Sequence, residues 1–148
     1  MTEKGRETTE ELAVLYPGRH SEAARERLEE ILSFALEGVP AKIWDRMEIL
    51  REDQFFFRGR RLLFAVPLGE NGINREYYEL LAWLRSGKQV LSGALAGMVI
   101  DAGSELYTKA AARELAVAAS MAGCAFVGRP LVEGTAPLEN FNVVAQVL

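Results

Sequence analysis

The sequence predicts a single α/β domain in three layers: a five-stranded parallel sheet with helices on both faces. Three observations carry this. Apolar runs of strand length alternate with segments whose apolar residues recur at helical spacing. Two of the runs, "RLLFAVPLG" at 61–69 and "ALAGMVIDAG" at 94–103, are almost continuously apolar, as strands buried on both faces must be. The helical segments begin at small polar residues and stop at glycine, the start and stop chemistry of helices joined to strands by short loops.

Taken in order, Leu12–Tyr16 is the first strand and Pro17-Gly18 ends it. Ser21 suits an N-cap and Glu22 the positive end of a helix. Ala24, Leu28, Ile31, Leu32 and Ala35 then fall on one helical face, and Gly38-Val39-Pro40 stops the helix. "AKIWDRMEI" is expected to be the second strand, although Asp45 and Arg46 break its apolar pattern. Leu50 to Arg60 connects it to the third strand, with one short helical turn expected around Asp53 to Phe57. The 61–69 run is the third strand, ended by Pro67 and Gly69. A helix capped by Asn71 or Asn74 follows, with Ile73, Tyr77, Leu80, Leu81 and Leu84 on its apolar face and Gly87 at its end. After the fourth strand, Ser104 caps the Ala-rich helix "ELYTKAAARELAVAASMAG", whose small side chains permit close approach to a sheet. "CAFVGRPLV" is the last strand, and Pro137 precedes the terminal segment "LENFNVVAQVL". Right-handed crossovers through these helices give a parallel sheet in the order 2-1-3-4-5 over residues 12–148. The polar residues 1–11 are expected to form a mobile arm.

Composition narrows the function. The 148 residues carry 17 basic and 21 acidic side chains, a net charge of -4, which argues against general nucleic-acid binding. The densest basic spot, Arg58-Gly59-Arg60-Arg61, adjoins an apolar run and is read as marking a strand end. One cysteine, Cys124, excludes a disulfide within the chain and suits a reducing, cytoplasmic compartment. Its setting, "AGCAFVG", is that of a buried structural thiol. No apolar window reaches membrane-spanning length, and the N-terminus lacks the apolar stretch of a signal peptide.

In open α/β sheets, ligands bind beyond the carboxyl ends of the strands, where successive crossovers leave for opposite faces. For this strand order the point lies between strands one and three. Three loops converge there: Pro17 to Ser21, Leu68 to Gly72, and Asp101 to Ser104. Free backbone N–H groups at the start of the first helix suit a phosphate, and Arg19, His20 and Ser21 add donors. The same residues also suit a plain turn and cap, so both readings stand. His20 is the only histidine and the nearest carboxylates are helical glutamates, so no metal site is expected. Asp101 and Ser104 admit a third reading, a hydrolase or transferase acting on a phosphorylated small molecule.

From Leu12 onward the chain resembles the NADPH-dependent FMN reductase family of the flavodoxin-like superfamily. The stretch "FAVPLGENGINREYYELLAWL" carries the resemblance best: Pro67, Ile73, Trp83 and Leu84 match the family's proline after strand three and the helix that follows. "SGALAGMVIDAGSELYTKAAARELAVAASMAGCAFVGRPLV" follows its last third. The resemblance implies FMN as cofactor, with its phosphate at Gly18, Arg19, His20 and Ser21. The flavin ring would lie between Pro67, Leu68, Gly69, Glu70, Asn71 and Gly72 on one side and Asp101, Ala102, Gly103 and Ser104 on the other. It implies NAD(P)H as co-substrate and a homodimer, for which Phe55-Phe56-Phe57 and Tyr77-Tyr78 also speak. Departures fall at ligand-facing positions. The first loop is short, Gly69 stands where the family has an aromatic, and Tyr78 and Ala82 stand at its usual Lys and Asp positions. A second reading follows, a diverged scaffold or interaction domain with flavin binding reduced or lost.

Overall fold

A computed structural model describes residues 11–17, 26, 29–33, 36–53, 55–67, 75–101 and 105–133. Residues 1–10 of the expected N-terminal arm, the capping residues Ser21, Asn71, Asn74 and Ser104, and the terminal segment after Pro137 lie outside them.

The elements are β1 (Leu12–Tyr16), α1 (helical at 29–33), β2 (Ala41–Asp45), α2 (Arg46–Arg51), β3 (Arg61–Pro67), α3 (Arg75–Leu84), β4 (Leu95–Asp101), α4 (Glu105–Met121) and β5 (Ala125–Glu133). All four strand pairings are parallel and the order is β2-β1-β3-β4-β5, as the sequence predicts.

The strand residues divide between two apolar cores by parity. Ala13, Leu15, Leu62, Phe64, Val66, Met98 and Ile100 face α2, α3 and α4. Leu12, Val14, Leu63, Ala65 and Val99 face the other way, packing with Ile31 and Leu32 of α1. Every residue of β3 after Arg61 is therefore buried, which is why its sequence reads as an apolar run without alternation. Each Leu or Phe so buried contributes roughly 1.5–3 kcal/mol.

The structure corrects the second strand. "AKIWDRMEI" is not one element: the strand ends at Asp45, and α2 starts at once. The cause is a reciprocal cap. The Glu48 N–H donates to Asp45 Oδ1 at 2.9 Å, and the Asp45 N–H donates to Glu48 Oε1 at 3.1 Å. Two otherwise unpaired donors are satisfied, so the helix begins where the apolar pattern breaks. The connection to β3 thus holds a six-residue helix, followed by the expected turn near Asp53 to Phe57. There the Phe55 N–H donates to Asp53 Oδ1 at 2.8 Å and the Phe56 N–H to the Asp53 carbonyl at 2.9 Å.

The basic spot is structural. Arg58 donates from Nε to the Gln89 carbonyl at 2.9 Å and from Nη2 to the Lys88 carbonyl at 2.7 Å. Arg60 Nε donates to the Phe56 carbonyl at 2.8 Å, with its guanidinium 4.1 Å from the centre of the Phe56 ring. These bonds pin the 55–59 turn to its neighbours. The aromatic tracts also turn inward. Phe57 and Tyr77 are each 1% exposed, and Trp44, Phe56, Phe57 and Trp83 form a continuous set of tilted and edge-to-face ring contacts. Of the aromatics that pointed to a partner surface, Phe55 and Tyr78 are the exposed ones, at 48% each. Cys124 is buried, and burial pushes its thiol up to about 12, as befits a structural thiol.

Candidate functional site

The candidate site is built by strand ends. β3 and β4 run in register to their last residues, so Pro67 and Asp101 are direct partners at the carboxyl edge. β1 pairs with β3 through Leu15↔Phe64. Continuing that register by two residues sets Pro17 beside Val66, one step short of Pro67. The three loops singled out in the sequence therefore leave the sheet at one level.

What opens a crevice there is the divergence of the crossovers. The chain leaving β1 crosses to the face where Ile31 and Leu32 of α1 pack. The chain leaving β3 crosses to the opposite face, where Tyr77, Leu80, Leu81 and Leu84 of α3 pack. β1 and β3 are adjacent, so the gap between their connections is the switch point of the sheet.

Of the expected site residues, the structure brings Pro67 and Asp101 together. Gly18, Arg19, His20, Ser21, Leu68, Gly69, Glu70, Asn71, Gly72, Ala102, Gly103 and Ser104 lie outside the described residues. Their places along the chain are bounded by Pro17, Pro67 and Asp101 on the strand side and by Arg75 and Glu105 at the starts of α3 and α4.

Beside Pro17 the structure adds a feature that sequence reasoning missed. Pro17, Ile49, Leu50, Leu80 and Trp83 line a small apolar recess, with room for about one water molecule and partly open to solvent. Ile49 and Leu50 reach it because α2 begins at Arg46. The signal that finds them is the Asp45…Glu48 capping pattern, which an all-strand reading of the segment passes over.

Behind the crevice, α3 and α4 are joined by a buried hydroxyl. Tyr77 Oη lies 3.1 Å from the Ala111 carbonyl and 3.1 Å from Glu114 Oε1. Burial first, and then the Glu114 carboxylate, raise the Tyr77 hydroxyl well above the ordinary phenol range, so it stays protonated and donates. Among the described residues there is no cluster of His, Cys, Asp and Glu able to hold a metal ion. No helix among them is long and apolar enough to cross a membrane.

No protein-family model matches the chain, and no curated protein does. Solved structures match almost end to end at low identity. A flavodoxin of Streptococcus pneumonia TIGR4 is 14% identical with a TM-score of 0.64, over 92% of this chain and 96% of that one. A short-chain flavodoxin associated with a non-canonical PDU bacterial microcompartment is 15% identical with a TM-score of 0.62, over 93% and 95%. The Trp repressor binding protein of Bacillus subtilis is 14% identical with a TM-score of 0.56, over 93% and 97%. With the all-parallel 2-1-3-4-5 sheet, these likenesses establish that the chain has the flavodoxin-like α/β fold.

Proposed function

We propose that the chain is a small flavoprotein that binds FMN at the carboxyl edge of β1 and β3. The observation that carries the reading is the divergence of α1 and α3 to opposite faces at the ends of two adjacent strands. That is where doubly wound folds place ligands. Two of the structural neighbours quoted above are flavodoxins by name, which points the same way.

The donor chemistry fits the group. Between Pro17 and Ser21 the chain offers a guanidinium, an imidazole, a hydroxyl and backbone N–H groups, and no carboxylate. An FMN phosphate would be held by Gly18, Arg19, His20 and Ser21. The ring would lie between Pro67 to Gly72 and Asp101 to Ser104, and Pro67 and Asp101 are register partners. When bound, the flavin supplies the redox chemistry; the chain binds it, orients it and limits water around it. NAD(P)H is the proposed reductant, and the proposed assembly is a homodimer in a cytoplasmic setting.

Gly69, where the resembling family has an aromatic, and the short first loop favour a second reading, a scaffold that has lost the cofactor. One titration separates the two. FMN added to the purified protein should bind with quenched fluorescence and a shifted visible band. Arg19→Ala, which removes a charge-assisted contact, should weaken binding by about 1.5–3 kcal/mol, roughly 10- to 150-fold. No binding at high micromolar FMN gives the scaffold reading instead. Bleaching of the bound flavin by NADPH under nitrogen then tests the reductase step, and light scattering tests the dimer.

A further inference from the structure

Tyr77 sits on the third residue of α3, close behind the loop that leaves β3. It is the largest of the fully buried side chains among the described residues. α4 meets the core largely through small residues, with Ala111, Ala112, Ala118 and Ala119 buried beside Leu115. Apolar contact with so smooth a surface holds two helices together but does little to fix their relative position, because such contact has no direction. A hydrogen bond does have direction. The Tyr77 hydroxyl proton is shared between two acceptors on α4, the Ala111 carbonyl and the Glu114 carboxylate.

The loops at the crevice are each held at two ends. The strand ends Pro67 and Asp101 are fixed by sheet register. The helix starts Arg75 and Glu105 are set by the packing of α3 and α4 on the sheet and, between the two helices, by the Tyr77 hydroxyl. We propose that Tyr77 is a positioning residue for the ligand edge: its hydroxyl pins α3 to α4 and so sets the spacing at which the 68–74 and 102–104 connections reach their helices. This inference rests on the reading of that edge as an FMN site.

Tyr77→Phe removes the pin and keeps the ring. Leu91→Val, in the core at the opposite end of the sheet, serves as a control for lost stability. Two readouts are compared between them, FMN affinity and amide exchange of residues 79–82 and 109–112 in FMN-free protein. Tyr77→Phe should raise the FMN Kd five- to twentyfold and speed exchange in both helical stretches about tenfold. Leu91→Val should leave the Kd within twofold and the exchange in these stretches unchanged. Glu114→Gln, which keeps an acceptor oxygen, should stay near wild type in both. Equal effects of Tyr77→Phe and Leu91→Val on Kd and exchange, or no effect of Tyr77→Phe, would overturn the proposal. If wild-type protein binds no FMN, the proposed function fails, and exchange alone decides whether Tyr77 pins the helices.

Discussion

Gly123 and Gly87 both have positive φ, +95° and +82°, yet their surroundings set them far apart. A Cβ at Gly87 would meet nothing within 4 Å, so Gly87→Ala carries only the cost of the left-handed backbone, about 1 kcal/mol. A Cβ at Gly123 would lie 2.7 Å from Ser92 Cα and 3.1 Å from Ser92 N, and backbone cannot swing aside. The two segments are also bonded there, with the Gly93 N–H donating to the Gly123 carbonyl at 3.2 Å. Gly123→Ala should therefore cost about 3 kcal/mol or more, read as a fall in urea midpoint several times that of Gly87→Ala. Next to it, Cys124 sets a pH dependence. Its thiol rises from an ordinary 9.0 to about 12 through burial, so between those values the folded chain keeps a proton that the unfolded chain releases. That contribution to stability is whole below pH 9 and shrinks as pH rises toward 12. Tyr77, raised in the same direction, adds to the loss at pH above 10. Melting temperatures taken from pH 7 to 11 should fall less steeply for Cys124→Ala than for wild type, and parallel curves would contradict this assignment.

The helix α2 shows what a cap decides at the level of an element. Six residues are too few to hold a helix by propagation alone, so its start depends on Asp45 and Glu48. Asp45→Ala should lower stability by about 1 kcal/mol in urea unfolding, and Asp45→Asn, which keeps an acceptor, should recover most of it. The same residues explain what was legible in the sequence. Strands β1, β3 and β4 and helices α3 and α4 were readable because burial on two faces, or on one helical stripe, writes itself into the apolar pattern. The ends of β1 and β3 were readable because Pro17 and Pro67 mark where those strands stop. "AKIWDRMEI" misled because only Asp45 and Arg46 stand between Trp44 and the next apolar residue, and two side-chain bonds to the backbone, not periodicity, separate the elements. Ile49 and Leu50 were lost from the recess beside Pro17 for the same reason. Nor did the aromatic triplet at 55–57 reveal its direction, since Arg58 and Arg60, bonded to carbonyls of the neighbouring turns, fix which rings face inward.

For the molecule as a whole, the flavoprotein reading predicts that a ligand at the carboxyl edge acts on folding. The described core is held by the sheet and by packing of helices on its two faces, and the strand ends at Pro67 and Asp101 meet in register at its centre. The connections that follow β1, β3 and β4 branch from three adjacent strands of that core, so a molecule touching all three would tie together connections that cross to opposite faces. Such a ligand binds the folded chain and has no matching site on the unfolded one. Under the flavoprotein reading, FMN at 100 times its Kd should stabilise the fold by about 2.7 kcal/mol. In a chain of 148 residues that is a rise in Tm of roughly 5–10 °C. Under the same reading, Arg19→Ala should melt like wild type without FMN. At the FMN concentration that saturates wild type, it should show a rise smaller by about half or more. The Gly123→Ala variant should behave the opposite way, melting low without FMN yet gaining the full increment, since Gly123 lies at the other end of the sheet. A wild-type Tm that does not move with FMN would remove the flavin from this fold and leave the scaffold reading. An equal rise in wild type and Arg19→Ala would keep the flavin and assign its phosphate to the backbone N–H groups, His20 and Ser21 without Arg19.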